Sequence, residues 1–419
     1  MFFHLSTLGC KVNQYETETV RTALLLNGYT ESDGESIADL VIVNTCTVTA
    51  ESEAKSRKVI RKLVNENPGA HVVVMGCAAT HLPEAMLQIG GVSQVISNKE
   101  HVPDFLKQLG ITMFPKGIAF FGDRHRAFIK IQDGCRVDCA YCIIPKVRPK
   151  LHSRAIEDIL PEVQALARNG YREIVLTGIH LGHYGIDICG DNRGGKQQRT
   201  NLAELIRQAV DLPEEFRLRL SSLEAVEVSD ELIDLMRRYP DRICPHLHLS
   251  MQSGSDEVLR RMKRRWLSEP FVRRCEEILS RFDRLALTTD VIVGFPGETA
   301  EQFDETFRVV EYLRFSKVHI FRFSPRPGTA AAAFPNRIPP SEQKHRAKTL
   351  SGLAKKLRSD FAASLVGSTA TVLLETETNG TCGRYLDVRL DQSAEPGTLV
   401  PVQIEQRVED VCFGKRKNV

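Results

Sequence analysis

Three cysteines stand together at Cys135-Arg-Val-Asp-Cys139-Ala-Tyr-Cys142, a C-x3-C-x2-C spacing suited to a metal or cluster. With 11 cysteines in 419 residues, chance supplies roughly 0.007 such triplets, so three unrelated thiols explain it poorly. Zinc is the stronger rival, but no fourth Cys or His follows at zinc-finger spacing. Three thiolates on a cubane of four irons would leave one iron open to a substrate or cofactor. Electron-transfer ferredoxins use four cysteines and close the cluster, so three favour chemistry at the cluster.

A second triplet emerges only through the elements that carry it. Cys10, Cys46 and Cys77 each follow an apolar run, Phe2 to Ser6, Leu40 to Asn44 and His71 to Met75. In a parallel sheet the carboxyl ends of such strands line one crevice, where ligands bind. Buried core cysteines are the plain alternative, and they account for one position more readily than for three equivalent ones. Cys189, Cys244, Cys275, Cys382 and Cys412 stand at unrelated positions and are assigned nothing.

The positioning elements read as α/β. Up to about residue 110, the three runs and Gln94 to Ser97 alternate with amphipathic Gln14 to Leu26 and Ala50 to Asn67. A second series predicts strands at Ala127 to Gln132, Glu173 to Thr177, Arg217 to Ser221, His246 to Ser250, Ala286 to Val293 and Lys317 to Phe323. Helical patterns separate them, as in a partial (β/α)6 barrel. Gly185 to Thr200 reads as a long surface loop, Pro339 to Leu365 as one basic helix. Thr369 to Thr376, Arg384 to Leu390 and Leu399 to Ile404 read as strands of a small β-barrel. The predicted domains are 1–112, 122–338 and 366–419, with 339–365 a linking helix.

Composition excludes other classes. A chain 42% hydrophobic and 26% charged is neither disordered nor fibrous, and its longest apolar stretch, Ala70 to Ala79, is too short to span a membrane. The start MFFHLSTLGC lacks a basic signal-peptide region, so a cytoplasmic protein with reduced thiols is expected. A net charge of +3 leaves any nucleic-acid role to local patches.

The motifs resemble those of the radical S-adenosylmethionine (SAM) methylthiotransferases. Cys135-x3-Cys139-x2-Cys142, with Tyr141 before the last cysteine, resembles the radical SAM signature. Thr7-Leu-Gly-Cys10-Lys-Val-Asn-Gln-Tyr-Glu16, Asn44-Thr-Cys46-Thr-Val48 and Gly76-Cys77 resemble the family's amino-terminal domain. His248 to Ser255, Asp290 to Thr299 and Ser324 to Thr329 are similar to its later blocks, and the tail resembles a TRAM domain, a small RNA-binding barrel. The first blocks look most like the MtaB branch, which acts at C2 of N6-threonylcarbamoyladenosine 37, in the anticodon loop of tRNA. Sister branches act on isopentenyladenosine or on a ribosomal-protein aspartate.

The resemblance implies two [4Fe-4S] clusters. One, on Cys135, Cys139 and Cys142, chelates SAM and cleaves it to a 5′-deoxyadenosyl radical; the other, on Cys10, Cys46 and Cys77, carries the sulfur. It also implies SAM contacts from Tyr141, Thr177, Gly178, Ser221 and Gln252, and needs an electron donor and a sulfur donor that the sequence does not identify. Two basic stretches, Arg260 to Trp266 and Lys344 to Arg358, are candidate RNA contacts through Arg264 and Lys355. The tail from Gly367 to Val419 holds 6 Lys/Arg against 8 Asp/Glu, a weak footprint for phosphate. A non-catalytic iron–sulfur protein with an RNA-binding tail is the rival from another class.

Overall fold

The computed structural model describes residues 1–33, 36–122, 124–188 and 201–417. Cys189 and most of the expected 185–200 loop lie outside them. The chain forms two compact units: Met1–Gly122 with Asp133–Leu151 and Ser324–Ala332, and Asp123–Gln132 with His152–Phe323 and Ala333–Val419.

The first unit is built on a five-stranded sheet. Strands β1 (Phe2–Thr7), β2 (Thr30–Glu31), β3 (Leu40–Thr45), β4 (His71–Gly76) and β5 (Val92–Val95) lie in the order β2-β1-β3-β4-β5. Every pairing is parallel. Alternate residues of β3 feed opposite cores: Leu40 and Ile42 pack with Val20 and Leu24 of helix α1 (Lys11–Leu26), Val41 and Val43 with Ile60 and Leu63 of α2 (Ala50–Glu66). Burial of both faces is why the strands read as unbroken apolar runs. Strand β5 begins two residues before its predicted start.

The second unit carries six parallel barrel strands in sequence order. β6 (Arg126–Lys130), β7 (Glu173–Thr177) and β8 (Arg217–Leu220) form one sheet. After a break at Ser221 the chain continues as β9 (Ser222–Leu223), which pairs with β10 (His246–Leu249), followed by β11 (Ala286–Val293) and β12 (Lys317–Arg322). A parallel bridge from Leu218 to Ile243 joins the two sheets. This is the expected partial (β/α)6 barrel.

The helix Pro340–Ser364 then leads to a closed barrel, β13 (Thr369–Leu374), β14 (Asn379–Cys382), β15 (Asp387–Leu390), β16 (Leu399–Val408) and β17 (Val411–Arg416), ordered β13-β14-β15-β17-β16. Val372, Val388, Val402 and Ile404 fill it, and Ala362 of the helix and Leu365 just past its end pack into the same core.

Glu173, at the start of β7, ties these two barrels together. Its fully buried carboxylate lies 2.7 Å from Arg217, 2.8 Å from Arg219 and 2.5 Å from Arg126. Arg217 also donates to Thr371 O at 2.7 Å, Arg219 to Gly383 O at 2.9 Å, and the Arg219 guanidinium lies 3.8 Å from the Tyr385 ring centre. Burial pushes the carboxyl pKa up, but Arg219, Arg217 and Arg126 outweigh it and hold the group well below its ordinary 4.5. Glu173→Gln leaves buried guanidinium charge uncompensated and should cost about 3–5 kcal/mol of unfolding free energy, read by denaturant titration. A depressed native pKa adds stability that is complete above the unfolded value, near 4.5, and is lost as pH falls through the native one. The gap between wild type and variant should therefore narrow only in acid.

Candidate functional site

Three strand ends of the first unit deliver Cys10, Cys46 and Cys77. Cys10 directly precedes α1, Cys46 follows β3, and Cys77 opens the short helix α3 (Cys77–His81) after β4. Asn13 holds two of these turns: its Nδ2 donates to Leu8 O at 2.9 Å and Thr45 O at 3.0 Å. Ser56 of α2 fastens Cys46 through 3.2 Å bonds to both its N–H and its carbonyl. Gly9 and Gly76 take left-handed backbone, φ +101° and +94°. A Cβ on Gly9 would lie 2.9 Å from Cys46 Cβ, and one on Gly76 would overlap Asn44 Oδ1 and the Thr45 backbone. Burial pushes all three thiols up in pKa, even Cys10, whose residue surface is exposed. Each also feels another's charge: Cys46 acts on Cys10, Cys77 on Cys46 and Cys10 on Cys77. Cys10 Sγ lies 3.8 Å from Asn13 Oδ1, which also accepts from the Arg148 guanidinium, whose Nε reaches Cys77 Sγ.

The Cys135–Cys142 loop belongs to the same unit. Cys142 N–H donates to Cys139 O at 3.0 Å, and Val137 N–H points at Cys135 Sγ from 3.4 Å. Cys139 is buried, Cys135, Tyr141 and Cys142 half-buried. The helix α4 (Ile144–Val147) follows, and Ile143 and Val147 pack on Cys77. Arg148 ends this segment with its side chain 2% exposed and its Nε 3.5 Å from Cys77 Sγ. Near Cys46, Arg326 donates to Thr47 Oγ1 at 2.7 Å and pairs with Glu53. His81 bonds Pro327 O at 3.0 Å.

The second unit places the other expected residues at carboxyl ends of barrel strands. Thr177 ends β7, and Gly178 follows with Gln132 so close that a Cβ would lie 2.8 Å from its Oε1. Ser221 occupies the break between β8 and β9, its buried Oγ without a hydrogen-bond partner. Gln252, past β10, has φ +69°, held by bonds from its N–H to Asp290 O at 2.8 Å and to its carbonyl from Ile292 N–H at 2.9 Å. Such conformations are rare outside glycine and cluster at ligand sites.

Next to Gly178 lies a group that sequence reading missed, although His180-x2-His183 was its visible signal. His180 Nε2 is 2.8 and 2.9 Å from the two Glu227 oxygens, His183 Nε2 is 3.4 Å from one, and the imidazoles stack at 3.7 Å. Burial, then the His180 charge, lowers the His183 pKa to about 4. Arg265 Nη1 lies 3.4 Å from His183 Nε2, and within the group His180 and Glu227 form an acid–base pair.

Arg264 needs correction as an RNA contact. Its side chain is 5% exposed, pairs with Glu224 and donates to Ser250 O at 3.1 Å, so it offers no free cation to phosphate. The run reads as basic, but Arg264 turns inward. Lys355 is exposed, and shares a helix face with exposed Lys344 and Lys348.

Residues 129–310 match the Radical SAM superfamily and 2–97 the family described as Uncharacterized protein family UPF0004. The threonylcarbamoyladenosine tRNA methylthiotransferase MtaB of Thermotoga maritima is 38% identical across 88% of this chain and 86% of the relative. The chain belongs to the radical SAM methylthiotransferase family. The MtaB enzyme of Bacillus subtilis is 37% identical, over 89% and 84%. A tRNA-2-methylthio-N(6)-dimethylallyladenosine synthase of Mycobacterium marinum is 32% identical, over 96% and 83%. The radical SAM methyltransferase TsrM from Kitasatospora setae shares the fold, with a TM-score of 0.56 at 16% identity over 79% of this chain and 77% of that one.

Membership in this radical SAM methylthiotransferase family implies a [4Fe-4S] cluster and SAM, and the residues fit. Among the described residues, the group with at least three His, Cys, Asp or Glu ligand atoms within 4.8 Å of one another is His180, His183 and Glu227. Each cysteine triplet supplies three thiols, the soft donors that an iron–sulfur cluster takes. Among the described residues no helix is long and apolar enough to cross a membrane.

Proposed function

We propose that this chain adds a methylthio group at C2 of N6-threonylcarbamoyladenosine 37 in tRNA, in the cytoplasm, using SAM and two [4Fe-4S] clusters. The observation that carries the reading is the presence, in one compact unit, of two cysteine triplets fastened through Arg148. When bound, the cluster on Cys135, Cys139 and Cys142 supplies the electron that cleaves SAM, and a second on Cys10, Cys46 and Cys77 supplies the sulfur. The chain's own residues position these groups and exclude water. Gly9 and Gly76 keep the strand-end crevice open, and Asn13 and Ser56 fix its turns. Tyr141, Thr177, Gly178, Ser221 and Gln252 are assigned to SAM, and Lys355 to the tRNA backbone. The assigned domains are 1–112 for the sulfur-carrying cluster, 122–338 for SAM chemistry, 339–365 as a linking helix and 366–419 as a TRAM-like module. The choice of threonylcarbamoyladenosine rests on the name shared by relatives 37% and 38% identical.

The test offers reconstituted enzyme, with SAM, dithionite and sulfide, tRNA bearing either N6-threonylcarbamoyl- or N6-isopentenyladenosine. Nucleoside mass spectrometry should find the methylthio product on the first; product on the second alone overturns the substrate assignment. The same preparation should hold about eight irons per chain, and about four at full reconstitution would remove the second cluster.

A further inference from the structure

Arg148 lies six residues beyond Cys142, and the mechanism above uses it only as a fastening. Its surroundings give it more to do. Nε donates to Cys77 Sγ at 3.5 Å. Nη1 donates to Glu16 Oε1 at 2.8 Å and to Asp133 at 2.9 and 3.1 Å. Nη2 donates to Glu16 Oε2 at 2.7 Å and Asn13 Oδ1 at 2.8 Å. All five N–H groups of the fork have acceptors, so the guanidinium has one orientation. Its backbone carbonyl accepts from Cys135 N–H at 3.3 Å. One residue thus grips Cys77 by its side chain and Cys135 by its main chain.

Arg148 supplies one of two cations that meet two carboxylates here. Arg148 and Lys99 face Glu16 and Asp133, with Lys99 paired to Asp133. Removing Arg148 leaves two carboxylates against one lysine beside Cys77, and removing Glu16 does the reverse. Hydrogen bonds to ligand sulfur and local charge are the protein's main means of setting a cluster's potential.

We infer that Arg148 is the positioning residue that orients Cys77 and raises the reduction potential of the cluster on Cys10, Cys46 and Cys77. The inference rests on the two-cluster reading above. The test uses the full-length chain with Cys135, Cys139 and Cys142 replaced by Ala, so that only this cluster assembles. Reconstituted protein is titrated with reductant and followed by electron paramagnetic resonance. Arg148→Gln should lower the midpoint potential, Arg148→Lys should lower it less, and Glu16→Gln should raise it. A merely structural role would not move the potential in opposite directions in two variants of one ion pair. An unchanged potential in Arg148→Gln, a fall in Glu16→Gln, or equal falls in the Lys and Gln variants would overturn the role. Should Arg148→Gln not fold, Glu16→Gln still decides it. If the triple-alanine parent binds no iron, the two-cluster reading fails and takes this role with it; iron bound with unmoved potentials defeats the role alone.

Discussion

Cys139→Ala is expected to abolish 5′-deoxyadenosine formation and tRNA methylthiolation together, both falling to background. Cys139 is the buried member of its triplet, on a loop whose turn is set by the Cys142 N–H bond to its carbonyl. Two thiols remain, too few to hold a cluster with one open iron, so SAM loses both its anchor and its electron. Iron per chain should drop by about four, and the strand-end triplet should keep its own share. Anaerobic chromatography of SAM products, run beside iron analysis, reads both. Continued SAM cleavage at the wild-type rate would contradict the assignment of Cys135, Cys139 and Cys142.

Cys46→Ala is expected to divide the two activities that Cys139→Ala removes together. The substitution truncates a side chain at the end of β3, in a turn held by Ser56 and pressed by Gly9. Cys135, Cys139 and Cys142 are untouched, so 5′-deoxyadenosine should still form with SAM and reductant. Methylthio transfer should nevertheless fall to background, because the site proposed to bear the sulfur loses one of its three thiols. Full methylthiolation by this variant would make the strand-end triplet structural and would end the two-cluster account.

Much of this arrangement is legible in the sequence because it follows from local patterns. β7 and β11 match their expected limits, since apolar runs bounded by polar turns define parallel strands well. The strand-end position of Cys10, Cys46 and Cys77 follows from parallel topology once the strands are known. β14 and β17 are missed, as neither Asn379–Cys382 nor Val411–Arg416 is a clean alternation, and both are defined by partners in the closed barrel. Buried charge is the largest gap. Arg148, Arg326 and Arg264 look like surface cations in one dimension, yet each pairs with an acid at least 40 residues away. No periodicity encodes such partners. Arg148 carries the site's least visible information, because two of its acceptors, Asn13 and Glu16, come from the Lys11 to Glu16 motif more than a hundred residues earlier.

The most direct measurement is nucleoside mass spectrometry of total tRNA from cells lacking this protein, and from the same cells supplied with wild type or with Cys46→Ala. The account predicts that 2-methylthio-N6-threonylcarbamoyladenosine disappears, that its unthiolated precursor accumulates, and that only the wild-type chain restores it. Methylthiolated isopentenyladenosine should stay unchanged throughout. Undiminished 2-methylthio-N6-threonylcarbamoyladenosine in cells lacking the protein, where no other enzyme supplies it, would contradict the account.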